Sequence, residues 1–282
     1  MKFITRKKYF LLISFCLYGI WQLHQFSNVQ VNVMEMEPIH MKRRDKNALE
    51  KFFRGLIVSD SFAFTLADSK PASFSGFSAS FLPPNPTLRK GWKTWKKYCD
   101  LFDNQNIMFW EEDSTFNKDQ TLLIIANKKK LMECLESQEE DFKSVLKDDF
   151  VDAVSLLEKR PFFSSGLKSN HFLIGIVLGF GRGNAAYFQE RFHLDHLENT
   201  AIWSDEILIP LYNKMVYTMF GFKQHMIENM LPPVFVGYPD SEESKFLKDN
   251  YWDVREKIIN YYQGKDFLEA TLNLYMHGRS IL

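Results

Sequence analysis

The basic stretch Met1 to Lys8, with Lys2, Arg6, Lys7 and Lys8, runs straight into the apolar segment Tyr9 to Trp21. That order of charge and hydrophobicity marks a membrane-targeting segment and constrains everything after it. The apolar core is shorter than the roughly 20 residues that span a bilayer comfortably, as in a signal-peptide core. Cleavage would require small residues at alternating positions. The chain instead continues Gln22, Leu23, His24, Gln25, Phe26, which favours an uncleaved signal anchor over residues 1–24. Four cations precede the core, whereas only Glu35 and Glu37 are charged between it and Ile39. This bias predicts a cytoplasmic N-terminus and an extracytoplasmic domain on a single-pass inner-membrane protein. Lys42, Arg43 and Arg44 lie near the limit of the distance that counts. Cys16 sits mid-core behind Phe15, where lipid attachment needs a small residue, so it reads as a small hydrophobe.

With residues 25–45 as a tether, residues 46–282 are enough for a single globular domain with a well-buried core. Hydrophobic residues make up 45% and charged residues 25%, which excludes the disordered class. The formal net charge of zero argues against nucleic-acid binding through a broad positive field. Outside the anchor only Cys99 and Cys134 remain, which rules out a disulfide framework or a four-cysteine zinc site. Free, buried thiols are the favoured state, although an oxidising compartment would permit pairing.

Apolar periodicity predicts a helix over Lys46 to Val58 and another from Trp92 to Phe102. Alternating Phe62, Phe64 and Leu66 suggest a short strand, and Ser69 to Thr87, rich in Ser, Pro and Gly, a loop. Ile107 to Trp110 and Thr121 to Ala126 read as strands, with Asn127 capping one long broken helix or two successive helices up to Lys159. Phe172 to Phe180 reads as a buried helix or strand, followed by helical patterns over Ala185 to Glu198 and Ile207 to Met230. Val234 to Gly237 suggests a strand. Ser241 starts a helix, and Gly264 separates it from the last one. The sum is an α+β fold, mainly helical, with a few short strands.

Gly181, Gly183 and Ala186 fit the spacing G-x-G-x-x-A, which in a dinucleotide fold brings backbone amides and a helix N-terminus to a pyrophosphate. Asn184 completes this ligand-binding candidate. The alternative is a tight turn between helices, with Gly181 or Gly183 at positive φ, Asn184 capping, and Gly175 and Gly179 permitting close packing. Glu190, His193 and His196 recur every three residues on one predicted helix, near enough to share a metal, with Asp195 adjacent. A di-iron bundle would need a second E-x-x-H and two more glutamates, all facing inward from packed helices. No G-x-S-x-G element is present, and Glu111-Glu112 and Asp148-Asp149 read as solvated charge. Trp92 and Trp95 beside Lys93, Lys96 and Lys97 suggest core packing, or a platform for a phosphate or an anionic glycan. Lys128, Lys129 and Lys130 at a helix start are electrostatically unfavourable.

The segment LIGIVLGFGRGNAAYFQER, Leu173 to Arg191, and the run YYQGKDFLEATLNLY, Tyr261 to Tyr275, resemble uncharacterised membrane-anchored proteins of chlamydia-like intracellular bacteria. The resemblance implies a bacterial envelope protein and brings no activity, fold or catalytic residue with it. The expected function is non-catalytic binding or scaffolding, with the membrane and an envelope protein or glycan as partners. No cofactor is implied. The alternative is an enzyme or ligand-binding protein that uses the turn at residues 181–186 for a phosphate-bearing ligand.

Overall fold

The computed structural model describes residues 41–282 apart from 79–84, 103, 105, 115–119, 199–226, 236, 239 and 278–282, and apart from the side chains of residues 78, 85 and 192–198. The expected anchor, most of the tether and most of the helical pattern at Ile207 to Met230 lie outside the described residues. Among those described, no helix is long and apolar enough to cross a membrane. Lys42–Leu282 forms one compact unit. It begins with helix α1 (Arg43–Ser59), whose first residues fall within the expected tether.

The fold is mostly helical around one small sheet, as an α+β reading requires. Strands β1 (Ala72–Ser78), β2 (Ile107–Asp113) and β3 (Gln120–Asn127) are antiparallel in the order β1-β3-β2. The central strand reads TLLIIA because both of its faces are covered. Leu122, Ile124 and Ala126 join a core with Leu131, Leu135, Phe142, Leu173 and Val177 from helices beyond the sheet. On the opposite face, Phe109, paired with Ile125, packs against Phe62, Trp95 and Tyr275.

Two expectations about this region are corrected. Phe62–Leu66 is a short helix, α2, in which all five residues are buried, so the alternation did not report one solvated face. The expected loop from Ser69 contains β1, where pairing with β3 overrides the weak strand propensity of Ser and Gly. Helix α3 (Asn85–Tyr98) also starts inside that expected loop. Pro86 falls in its first turn, where a missing N–H costs nothing.

After β3 come α4 (Lys128–Ser137), α5 (Glu139–Leu146) and α6 (Ala153–Glu158), the broken helical run the sequence predicts. The three lysines that open α4 are accommodated locally. The backbone N–H of Lys128 goes to the Asn106 carbonyl, that of Lys129 to Asn106 Oδ1, and that of Lys130 to Asn127 Oδ1. Glu133, one turn on, pairs with Lys129 and Lys130. Oxygen acceptors thus meet the positive helix end before the lysines do.

Helices α7 (His171–Val177) and α8 (Arg182–Glu198) form the next pair. Val234, Phe235 and Gly237 form no strand. Helix α9 (Glu242–Tyr262), with Ser241 as its N-cap, is separated by Gly264 at φ +72° from α10 (Phe267–His277).

Candidate functional site

Helices α1 and α3 run antiparallel: Asp45 near the start of α1 meets Tyr98 at the end of α3, and Phe52 lies against Trp92. Their apolar stripes, with Leu49, Phe52, Phe53 and Leu56 facing Leu88, Trp92 and Trp95, are buried. The helices touch closely at Gly91, where a Cβ would lie 2.2 Å from that of Phe52. Asp45 ties the pair together, accepting from Lys97 at 2.7 Å and from the Tyr98 hydroxyl at 2.8 Å. These hydrogen bonds hold the Asp45 carboxyl below the usual carboxylate range.

Burying one face of each helix leaves the polar residues along a surface cleft of about 650 Å³. Arg43, Arg44 and Lys51 line it from α1 and Lys90 from α3, with Asn47 and Thr87 supplying neutral polar groups. No carboxylate lines it among the described residues. The adjacent end of α1 is a helix N-terminus whose cap residue, Lys42, provides no side-chain acceptor. The cleft is therefore a concentration of positive charge on a chain of zero net charge. Its i, i+3/i+4, i+7 spacing on α1 reads in the sequence as an ordinary solvated face, and its α3 wall lies some forty residues further on.

The glycine turn is built differently from a dinucleotide site. A helix, α7, precedes it where that fingerprint needs a strand, and the sheet is entirely antiparallel among the described residues. Gly181 has φ +84°, and Gly175 lets α7 pack on Ala185 of α8, where a Cβ would sit 2.8 Å from that of Ala185. Gly179 instead takes φ +73° at the end of α7. The amides of Gly183 and Asn184 donate to the Glu243 carboxylate at 3.3 and 2.9 Å. Cβ atoms at Gly181 and Gly183 would lie 2.6 and 2.8 Å from that same carboxylate. Both glycines thus make room for an internal acid, and a phosphate at this turn would have to displace it. Asn184 is buried in the first turn rather than capping it; its side chain donates to the Phe180 carbonyl and accepts from Ser244. Ala186 is half-buried on α8.

Glu190, His193 and His196 share helix α8, with Glu190 exposed; the side chains of His193 and His196 lie outside those described. Among the described residues no group of three His, Cys, Asp or Glu side chains could hold a metal ion.

Trp92 and Trp95 are core residues, 5% and 1% exposed, so they offer no stacking platform. The Trp92 indole donates to Glu111 at 2.6 Å, and Lys96 pairs with the same carboxylate. Cys99 and Cys134 are free. Burial pushes the Cys134 thiol up to about 12 and also raises that of Cys99, which makes both poor nucleophiles.

Glu112 corrects the expectation that the Glu111-Glu112 pair is solvated. On a strand, neighbours point to opposite faces, and Glu112 is turned inward to 7% exposure. It accepts the backbone N–H groups of Phe162 and Phe163 at 2.6 and 3.0 Å. Burial raises its pKa above the usual carboxylate range, against the opposing pull of those two amides. The buried Trp110 indole N–H lies close enough to favour the ionised form without completing a hydrogen bond. Both amides belong to the single turn Phe162–Gly166, so Glu112 joins the sheet to that turn. No family model, curated protein or solved structure matches the chain.

Proposed function

We propose that the chain is a single-pass envelope protein, anchored through residues 1–24, whose domain acts outside the cytoplasm by holding a partner rather than by catalysis. The observation that supports a binding role best is the basic cleft between α1 and α3. Arg43, Arg44, Lys51 and Lys90 converge there on a hollow of small-ligand size. A positively lined recess attracts an anionic group, and an envelope glycan or an acidic envelope protein carries such groups.

Two measurements test the proposal. Alkaline phosphatase fused to the C-terminus is expected to be active in intact bacterial cells, with a matched cytoplasmic reporter silent. The reverse pattern would overturn the placement. A photo-crosslinking amino acid at Thr87 is expected to give an adduct in intact cells that disappears with Arg43→Glu and Arg44→Glu. Adducts no stronger than those from exposed Lys248 would overturn the binding role.

A further inference from the structure

We infer that the basic cleft takes a multiply charged, phosphate-bearing anion, a step that rests on the binding reading above and narrows it to one ligand chemistry. Several cations elsewhere on this surface face acids, as Lys97 faces Asp45, Lys143 faces Glu139 and Arg182 faces Asp141 in a two-pronged pair. Arg43, Arg44 and Lys90 have no carboxylate partner among the described residues, yet all three open onto the same hollow. Such a gathering of like charge repels itself until an anion enters.

The start of α1 adds to the field. A helix N-terminus carries partial positive charge and favours acids in its first turn. The acid that stands there, Asp45, is turned away to Lys97 and Tyr98, while the cleft side presents Arg43 and Arg44. The hollow of about 650 Å³ also exceeds what a bare ion needs and falls within the range of small-molecule sites.

One carboxylate would neutralise only one of these charges. A phosphate monoester or diphosphate brings about two negative charges with several acceptor oxygens, and the planar fork of a guanidinium matches it with paired hydrogen bonds. Asn47 and Thr87 then remain for hydroxyls on the rest of the ligand.

The test uses the full-length protein in nanodiscs of neutral phosphatidylcholine, titrated by calorimetry with inorganic pyrophosphate and, in parallel, with citrate. Saturable pyrophosphate binding is expected, weakened about tenfold or more by the combined changes Arg43→Gln, Arg44→Gln and Lys90→Gln, with citrate weaker by a similar factor. The three side chains are exposed, and unchanged circular dichroism checks the fold. Arg44→Gln alone, expected to give a partial loss, serves if the triple variant fails to fold.

Nanodiscs that include phosphatidylglycerol separate the sources of the phosphate. Suppression of pyrophosphate binding assigns it to a lipid headgroup, and undiminished binding to a soluble or glycan-linked ester; either supports the inference. Pyrophosphate binding unaffected by the charge changes, or matched by citrate, overturns it. Absent pyrophosphate binding with persistent Thr87 adducts overturns this inference alone, whereas loss of both also removes the binding reading.

Discussion

The carboxylate of Glu243 accepts the backbone N–H of Asn184 at 2.9 Å, so the first turn of α9 supplies the acid that the first turn of α8 lacks. Ser244 fastens the same junction by donating to the Asn184 side chain at 2.7 Å. Replacing Glu243 with Ala strands the two amides at a helix start, a loss of about 0.5–2 kcal/mol. Urea unfolding is expected to show a lower midpoint with an unchanged slope, and Glu243→Gln, which keeps one acceptor, a smaller drop. A midpoint equal to that of the parent would mean that the junction contributes nothing.

Gly91 is the point where α1 and α3 come closest. Alanine there gains up to about 1 kcal/mol of helix propensity but forces its methyl into Phe52, a cost of about 1–3 kcal/mol. Gly91→Ala is therefore expected to lower the melting temperature. Phe52→Gly, itself strongly destabilising, removes the Cβ as well as the ring, so adding Gly91→Ala to it is expected to do less harm or to stabilise. Additive effects of the two changes would contradict the contact.

Glu112 gives stability a pH dependence of definite sign. Its folded pKa is raised by burial, so the carboxyl ionises more readily in the unfolded chain. Its contribution is full below the ordinary carboxylate range and is lost as pH rises through the folded value. Glu112→Gln turns an amide N–H towards one of the two backbone donors and is expected to cost about 1–3 kcal/mol at neutral pH. The stability gap between parent and variant is then expected to widen as pH falls from about 7 to about 4. Parallel urea titrations of the two proteins across that range would refute the assignment if the gap stayed constant or narrowed.

The two thiols of the domain are predicted to differ in reactivity. In a Cys16→Ser background, the half-exposed Cys99 is expected to react with an aromatic disulfide reagent at pH 8 before Cys134 does. The Cys134 thiol, half-buried like Cys99 but raised to about 12 and donating to the Ile176 carbonyl, is expected to react much more slowly in the native protein. Adding urea up to the unfolding midpoint should then accelerate Cys134 far more than Cys99. Equal rates in the native protein would show that Cys134 is not enclosed.

Periodicity revealed α1 and α3 because each has one dry face and one wet one, the condition under which a 3.6-residue period appears, and the Ser241 cap revealed α9. It misread α2, where every residue from Phe62 to Leu66 is buried, and it hid β1, whose serines and glycine look like a loop until Ser73 is placed opposite Ile125. The glycine spacing at Gly181 to Ala186 was visible in the chain, but its occupant, Glu243, stands in another helix. The cleft was least legible of all: Arg43 and Arg44 read as the end of a tether, and only packing of α1 on α3 brings Lys90 to the same cleft. Local signals carry element type well, whereas a site assembled from distant segments leaves no local trace.

The order of strands bears on how this chain reaches its fold. A polypeptide delivered from its N-terminus releases β1 and β2 first, yet among the described residues these two do not pair with each other, and both bond to β3, which follows them. The sheet has no hydrogen-bonded precursor until residues 120–127 have emerged. Until then the strand-forming segments carrying Phe74, Phe77, Phe109 and Trp110 stand without their ladder. Early synthesis is thus the interval in which this domain most needs a holding factor, and changes in β3 should be read as much in yield as in melting temperature.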